Sequence, residues 1–153
     1  MPASVTVRVV DVYLYREADA LVEFLLLRRA AAVKYAGQWR MVGGKIKGGE
    51  AAWQTAVREV EEETGHTLAE LWTVPSVNVF YEAATDRVNI APAFAAPLLA
   101  DPVLNHEHDA FAWLPPDAAV QRLRWPEQRR LLRLTAELLR EGVLPEWHVA
   151  LDG

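Results

Sequence analysis

The chain has 153 residues, 52% hydrophobic and 24% charged, with a net charge of −5 and no cysteine. That length suits one domain, residues 1–153, because a chain of this size buries roughly 70% of its unfolded surface. The composition excludes disordered and fibrous classes, the lack of cysteine excludes disulfides and thiolate metal sites, and the acidic balance argues against a nucleic-acid partner, which would select a basic face. Apolar runs such as 93–100 are too short to span a bilayer. The N-terminal stretch lacks the basic region and apolar block of a signal peptide, so no membrane partner and a cytoplasmic location are expected.

In chain order, residues 5–15 alternate apolar and polar positions and are rich in Val and Tyr, and 21–27 follow after a polar turn; both read as strands. "RRAAAVKYAGQ" is a connection, "WRMV" a short strand ending at Gly43-Gly44, and 45–47 a further short strand before the turn at Gly48-Gly49. A helix is predicted from near Glu50 to Gly65, a residue suited to the left-handed end of a helix. "WTVPSVNVFYEA" and "RVNIAPAFAAPLL" read as two strands joined at 84–86, with Pro75, Pro92 and Pro97 expected near edges or bulges. "HDAFAWL" is the last predicted strand. Pro115-Pro116-Asp117 opens a short helix, and "WPEQRRLLRLTAELLREG" reads as a long amphipathic one, leaving the tail 143–153 unassigned.

The helix before Gly65 breaks a local rule. Glu59, Glu62 and Glu63 fall within about 100° of arc, away from the apolar stripe of Trp53, Ala56, Val57 and Val60. Like-charge pairs at these spacings cost an isolated helix roughly 0.2 to 0.5 kcal/mol each, and the acids sit at the end disfavoured by the helix dipole. A solvated charge run is the plain alternative. A divalent cation held by several carboxylates would turn the repulsion into coordination, and hard oxygen ligands suit Mg2+. Gly43-Gly44 and Gly48-Gly49 flank Lys45 and Lys47 just before the helix, so backbone and positive charge can approach an oxyanion there.

The spacing Gly44, five residues, Glu50, seven residues, then Arg58-Glu59-Val60-Glu61-Glu62-Glu63-Thr64-Gly65 resembles the Nudix box, G-x5-E-x7-R-E-U-x-E-E-x-G-U, with His66 replacing the final aliphatic residue. Weaker similarity, in "PSVNVFY", "NHEHDAFAWL" and "WPEQRR", extends to the branch that hydrolyses dATP or dihydroneopterin triphosphate. The resemblance implies an α/β fold, a Nudix-type α/β/α sandwich with a mixed β-sheet, the box helix on one face and the long C-terminal helix on the other. It implies Mg2+, with Mn2+ as an alternative, and metal ligands at Glu59, Glu62, Glu63 and the Gly43 carbonyl. Glu50 would pair with Arg58 to hold helix and loop in register, beside Gly44 and Gly65 as structural positions of the motif.

The general base would be either on the box helix or at Glu107 in a later loop, so Glu59, Glu62, Glu107 and Arg58 are the catalytic candidates. His106 and His108 flank Glu107 in a His-x-His spacing; polar loop roles are expected for both. Lys45, Lys47, Tyr35, Trp39, Phe80 and Tyr81 are candidates for substrate binding, the aromatics as a slot for a base. The expected activity is hydrolysis of a pyrophosphate linkage in a nucleoside triphosphate. Hydrolysis of ADP-ribose, a dinucleotide or a nucleotide sugar, and a Nudix-fold module that binds without turnover, are the alternatives. A nucleotide or related polyphosphate is the expected partner, and a homodimer is in keeping with relatives of this kind.

Overall fold

A computed structural model describes residues 1–152; Gly153, the end of the unassigned tail, lies outside the described residues. The strands are β1 (Ser4–Thr6), β2 (Val9–Ala18), β3 (Leu21–Arg29), β4 (Trp39–Arg40), β5 (Val42–Lys45), β6 (Trp72–Glu82), β7 (Arg87–Pro97) and β8 (His108–Leu114). The helices are α1 (Ala52–Thr64), α2 (Pro116–Arg122) and α3 (Pro126–Glu141), followed by a 3-10 turn at Pro145–Trp147. All eight strands join one mixed sheet. β6 pairs antiparallel with β7, whose other edge takes β1 and β2 in parallel. β2 in turn pairs antiparallel with β3 at one end and β5 at the other, and β3 continues to β8 and β4.

The predicted first strand is two. Between Thr6 and Asp11 the chain spends one residue more than β7 does between their partners Asn89 and Ala93. The break falls opposite Pro92, which has no N–H to give to a ladder. Pro75 likewise lies in the irregularity of β6 between Thr73 and Val77. The β2–β3 turn is Asp19-Ala20, both at positive φ (51° and 64°), the twist that a two-residue hairpin requires.

Alternation along the central strands feeds two cores. Val10, Val12, Leu14, Leu25 and Leu27 face α1, packing with Ala56, Val60 and Leu71. Tyr13, Tyr15, Phe24 and Leu26 face α2 and α3, packing with Val120, Leu123, Leu131 and Leu132. The sheet is therefore sandwiched between helices, as the resemblance implies. The tail is ordered: Trp147 stacks on Trp72 with ring centroids 6.4 Å apart, and the Val149 N–H donates to the Leu71 carbonyl at 2.9 Å.

The glycines before α1 differ from expectation. Gly43 and Gly44 lie inside β5, paired with Asp11 and Val10, rather than in a loop. α1 starts at Ala52, because the Glu50 backbone N–H closes a turn on the Lys47 carbonyl at 3.1 Å and its side chain is engaged elsewhere. A Cβ on Gly43 would stand 2.6 Å from the backbone oxygen of Val10, whereas one on Gly48 would meet nothing within 4 Å. Gly43→Ala is therefore expected to cost about 1 to 3 kcal/mol in denaturant unfolding, as overpacking against backbone does. Gly48→Ala should stay within about 0.5 kcal/mol of the parent.

Candidate active site

Arg58 ties the site together. Its Nε and Nη2 donate to Glu50 Oε2 and Oε1 at 2.7 and 3.0 Å, a bidentate pair, and Nη2 also donates to the Lys45 carbonyl at 3.0 Å. Nη1 donates to Glu59 Oε1 at 2.9 Å and Glu62 Oε1 at 3.2 Å. The Arg58 bonds, joined by the Lys47 N–H, hold the Glu50 carboxyl down at about 2, and the carboxylates push Arg58 up. The guanidinium thus fastens α1 to the end of β5 while cancelling part of the repulsion between Glu59 and Glu62.

The three box carboxylates differ in burial: Glu62 is half exposed, Glu59 mostly covered, and Glu63 only 3% exposed. Gly44 is what lets Glu59 lie flat on β5, because a Cβ there would overlap its carboxyl group. The Gly43 N–H donates to Glu63 Oε2 at 3.3 Å. Burial, then the hydrogen bond and charge of Glu59, then the charge of Glu107, drive the Glu63 carboxyl well above the ordinary carboxylate range; the Gly43 N–H opposes them. Glu59 is raised as well, chiefly by burial.

The loop before β8 closes on these acids. Asn105 Nδ2 donates to the Glu62 backbone carbonyl at 2.9 Å while its Oδ1 accepts the Glu107 N–H at 2.9 Å, and the Ala30 N–H donates to the Glu107 carbonyl at 2.9 Å. Glu107 then faces Arg29 Nη1 at 3.8 Å. His106 is exposed, as expected of a loop histidine, but His108 is buried and opens β8, with Nε2 3.6 Å from Glu63 Oε1. Burial, with Arg29 and Arg40 adding to it, pushes His108 down to about 4. The imidazole is accordingly neutral near pH 7, and the His108–Glu63 contact is not an ion pair.

These acids line one cleft of about 770 Å³. It is lined by Glu59, Glu62, Glu63 and Glu107, by Lys45 and Lys47, by Gly43 and Gly44, and by Tyr35 and Phe80. Trp39 and Tyr81 are not part of it. Each neighbours a residue that is, Arg40 and Phe80, and adjacent residues of a strand point to opposite faces. Trp39 lies instead between the Arg28 and Arg122 guanidinium groups, 5.9 and 4.6 Å from its ring centroid, and the Tyr81 hydroxyl donates to Asp86 at 2.7 Å in the β6–β7 turn. Gly65 and Glu50 also stand outside the cleft: Gly65 ends α1 at φ 75°, and Glu50 supports Arg58.

The same cleft holds residues that the sequence did not single out. Asp11, on β2, is buried and accepts from Asn78 Nδ2 at 3.1 Å; Gln128, in the first turn of α3, lies beside it with its Oε1 unpartnered. Tyr35 reaches the cleft on a backbone at φ 61°, between Lys34 and Arg40 at 4.8 and 4.7 Å from its ring. Non-glycine residues in that region are held by their surroundings, and they cluster at functional sites. A lone Asp in an apolar strand and a Gln in "WPEQRR" were the available signals.

A model of the NUDIX domain matches residues 5–135. The chain belongs to the Nudix family. Among curated relatives, this Nudix chain is 33% identical over 137 residues to an 8-oxo-(d)GTP phosphatase of Mycolicibacterium smegmatis, covering 84% of this chain and 41% of that protein. It therefore spans about two fifths of that relative's length. It is 29% identical over 130 residues to an asymmetrical bis(5'-nucleosyl)-tetraphosphatase of Caenorhabditis elegans, covering 83% and 92% of the two chains. The solved dihydroneopterin triphosphate pyrophosphohydrolase of E. coli superposes with a TM-score of 0.73 over 90% of this chain and 99% of that one; at 22% identity the likeness is one of fold.

The donor set fits the divalent cations that Nudix hydrolases use: carboxylates converge with a raised Glu63 and an unpartnered buried imidazole, and Gly44 leaves room for Glu59. Glu63 has a consequence for the cation-free protein. Its folded value is raised, so its contribution to stability is complete below the ordinary carboxylate range and is lost as pH rises through the elevated value. In the presence of a chelator, Glu63→Gln should melt above the parent at the alkaline end and converge with it as pH falls. A difference of about 1 kcal/mol would read as roughly 2 to 4 °C in a chain of this size.

Proposed function

We propose that this chain hydrolyses a nucleoside triphosphate at the bridge between its first two phosphorus atoms, releasing a nucleoside monophosphate and pyrophosphate. The observation that carries this reading is a single cleft lined by carboxylates together with lysine, aromatic and amide side chains. Its volume is within the range of about 300 to 1,000 Å³ usual for small-molecule sites.

Glu59, Glu62 and Glu63 would hold Mg2+ or Mn2+, with the Gly43 carbonyl a further candidate. Such an ion, when bound, neutralises phosphate charge, polarises the bridging P–O bond and lowers the pKa of water. Lys45 and Lys47 stand exposed at the cleft and supply positive charge for the polyphosphate. Arg58 is a positioning residue, since its donors are already taken by carboxylates and the Lys45 carbonyl. Phe80 offers a ring face to the base, Tyr35 lines the cleft between its two cations, and Asp11, Asn78 and Gln128 offer polar atoms to the edge of the base. Glu107 is the candidate base that takes the proton of the attacking water; its carboxyl is partly exposed and lines the cleft.

Incubation with a panel of nucleoside triphosphates, dinucleotides and ADP-ribose, first with Mg2+ and then with Mn2+, tests the reading. Pyrophosphate as the product of a triphosphate supports it; orthophosphate alone, or turnover confined to ADP-ribose or dinucleotides, contradicts it. Tight nucleotide binding without any product would favour a binding module instead. Glu62→Gln should lower kcat by about two orders of magnitude, the scale of losing one electrostatic group from a transition-state site. Its melting midpoint should be preserved, because the side chain is 47% exposed. Phe80→Ala should raise KM about tenfold with kcat nearly unchanged, given the roughly 1 to 3 kcal/mol that a base gains by stacking on an aromatic ring.

A further inference from the structure

His108 opens β8 with its side chain 2% exposed, and its imidazole is poorly served: Nδ1 has no hydrogen-bond partner among the described residues, and Nε2 stands 3.6 Å from Glu63 Oε1. A buried polar group left unmatched is costly unless something else occupies it. Glu63, Glu107 and His108 each offer a donor atom, and these atoms all lie within 4.8 Å of one another. Opposed donors around one small ion, with bonds of about 2.1 Å, stand about 4 Å apart. The set is therefore near the size of a coordination sphere as it stands.

The backbone holds the set in place. Asn105 joins the Glu62 carbonyl to the Glu107 N–H, and the Ala30 N–H holds the Glu107 carbonyl, so the loop is fastened to both α1 and the end of β3. The Gly43 N–H occupies Glu63 Oε2, leaving Oε1 as the atom turned toward His108.

We propose that the His108 imidazole is a cation ligand, forming with Glu63 and one oxygen of Glu107, whose second oxygen stays free to take the proton of the attacking water, a mixed nitrogen–oxygen position on the inner wall of the cleft that favours a borderline divalent ion such as Mn2+ over Mg2+. The inference rests on the reading of the cleft as a cation-dependent site and adds a ligand that the box does not contain. Mg2+ seeks oxygen donors in a strict octahedron, whereas imidazole nitrogen suits ions with more covalent character. Glu59 and Glu62 remain as oxygen donors nearer the mouth.

Electron spin-echo modulation of Mn2+ bound to the intact protein reads nitrogen coordination directly, without reference to turnover. A 14N coupling is expected, replaced by the 15N pattern when histidine is isotopically labelled, retained in His106→Gln and absent in His108→Gln. Mn2+ affinity, measured by titration, should fall by roughly tenfold or more in His108→Gln, at least the loss seen when a residue supporting a metal ligand is removed, with Mg2+ affinity changed less. Bound Mn2+ without nitrogen coupling in the unaltered protein overturns the inference, as does failure of the protein to bind Mn2+; neither result depends on how a variant folds. Nitrogen coupling without triphosphate turnover would sink the proposed function and leave this ligand standing. Turnover without coupling would do the reverse.

Discussion

Arg58 stands where three segments must meet, and the geometry of the cleft depends on what it donates to. One guanidinium bonds Glu50 bidentately, caps the Lys45 carbonyl at the end of β5, and reaches Glu59 and Glu62 along its own helix. The planar fork of Arg is suited to this; a lysine ammonium is a point charge and could not present the same fixed set of donors. Glu50 is therefore unavailable for capping α1, which starts at Ala52 with the Ala51 N–H donating to Gln54 Oε1 at 2.8 Å instead. The helix begins late because the acid before it has been drawn to the arginine.

Once α1 is fastened, close approach to β5 becomes possible only through glycine. The strand passes between Asp11 on one side and Glu59 on the other, with a missing Cβ facing each. Burial then sorts the carboxylates. Glu62 remains in water, Glu59 is partly withdrawn, and Glu63 is withdrawn so far that its carboxyl is pushed well above the ordinary carboxylate range. Arg58 and the Gly43 N–H donate to this like-charged cluster and offset part of its repulsion. A divalent ion binds the deprotonated carboxylates, which links cation binding to pH.

Much of the architecture was legible in the sequence because burial on both sheet faces leaves a clear mark: Val, Leu and Tyr runs for β2 and β3, an Ala-rich run with Ile and Phe for β7, and a leucine stripe for α3. The box residues were legible too, since a line of acids on one helical face has no local reason to exist. What was lost depended on pairing across the chain. The break between β1 and β2 arises from Pro92 on a distant strand. Gly43 and Gly44 look like loop residues until β2 is seen beside them. Trp39 and Tyr81 were assigned to the cleft by chemistry, but each lies one residue out of phase with a residue that faces it. His108 opens the predicted strand "HDAFAWL", but whether that first residue faces solvent or the interior depends on what packs over it, and the polar role expected of it gives way to burial. Asp11, Asn78 and Gln128 come from three elements and meet only in the fold.

The central claim is that Glu59, Glu62 and Glu63 aim into one cleft to hold divalent ions against a polyphosphate. Crystals grown with Mn2+ and a nonhydrolysable nucleoside triphosphate, with data collected to locate the anomalous signal of manganese, address it most directly. The account requires anomalous peaks between these carboxylates and the phosphate chain, with the base lying toward Phe80 and Gln128. Peaks located elsewhere, with the three side chains pointing into bulk solvent, would contradict it.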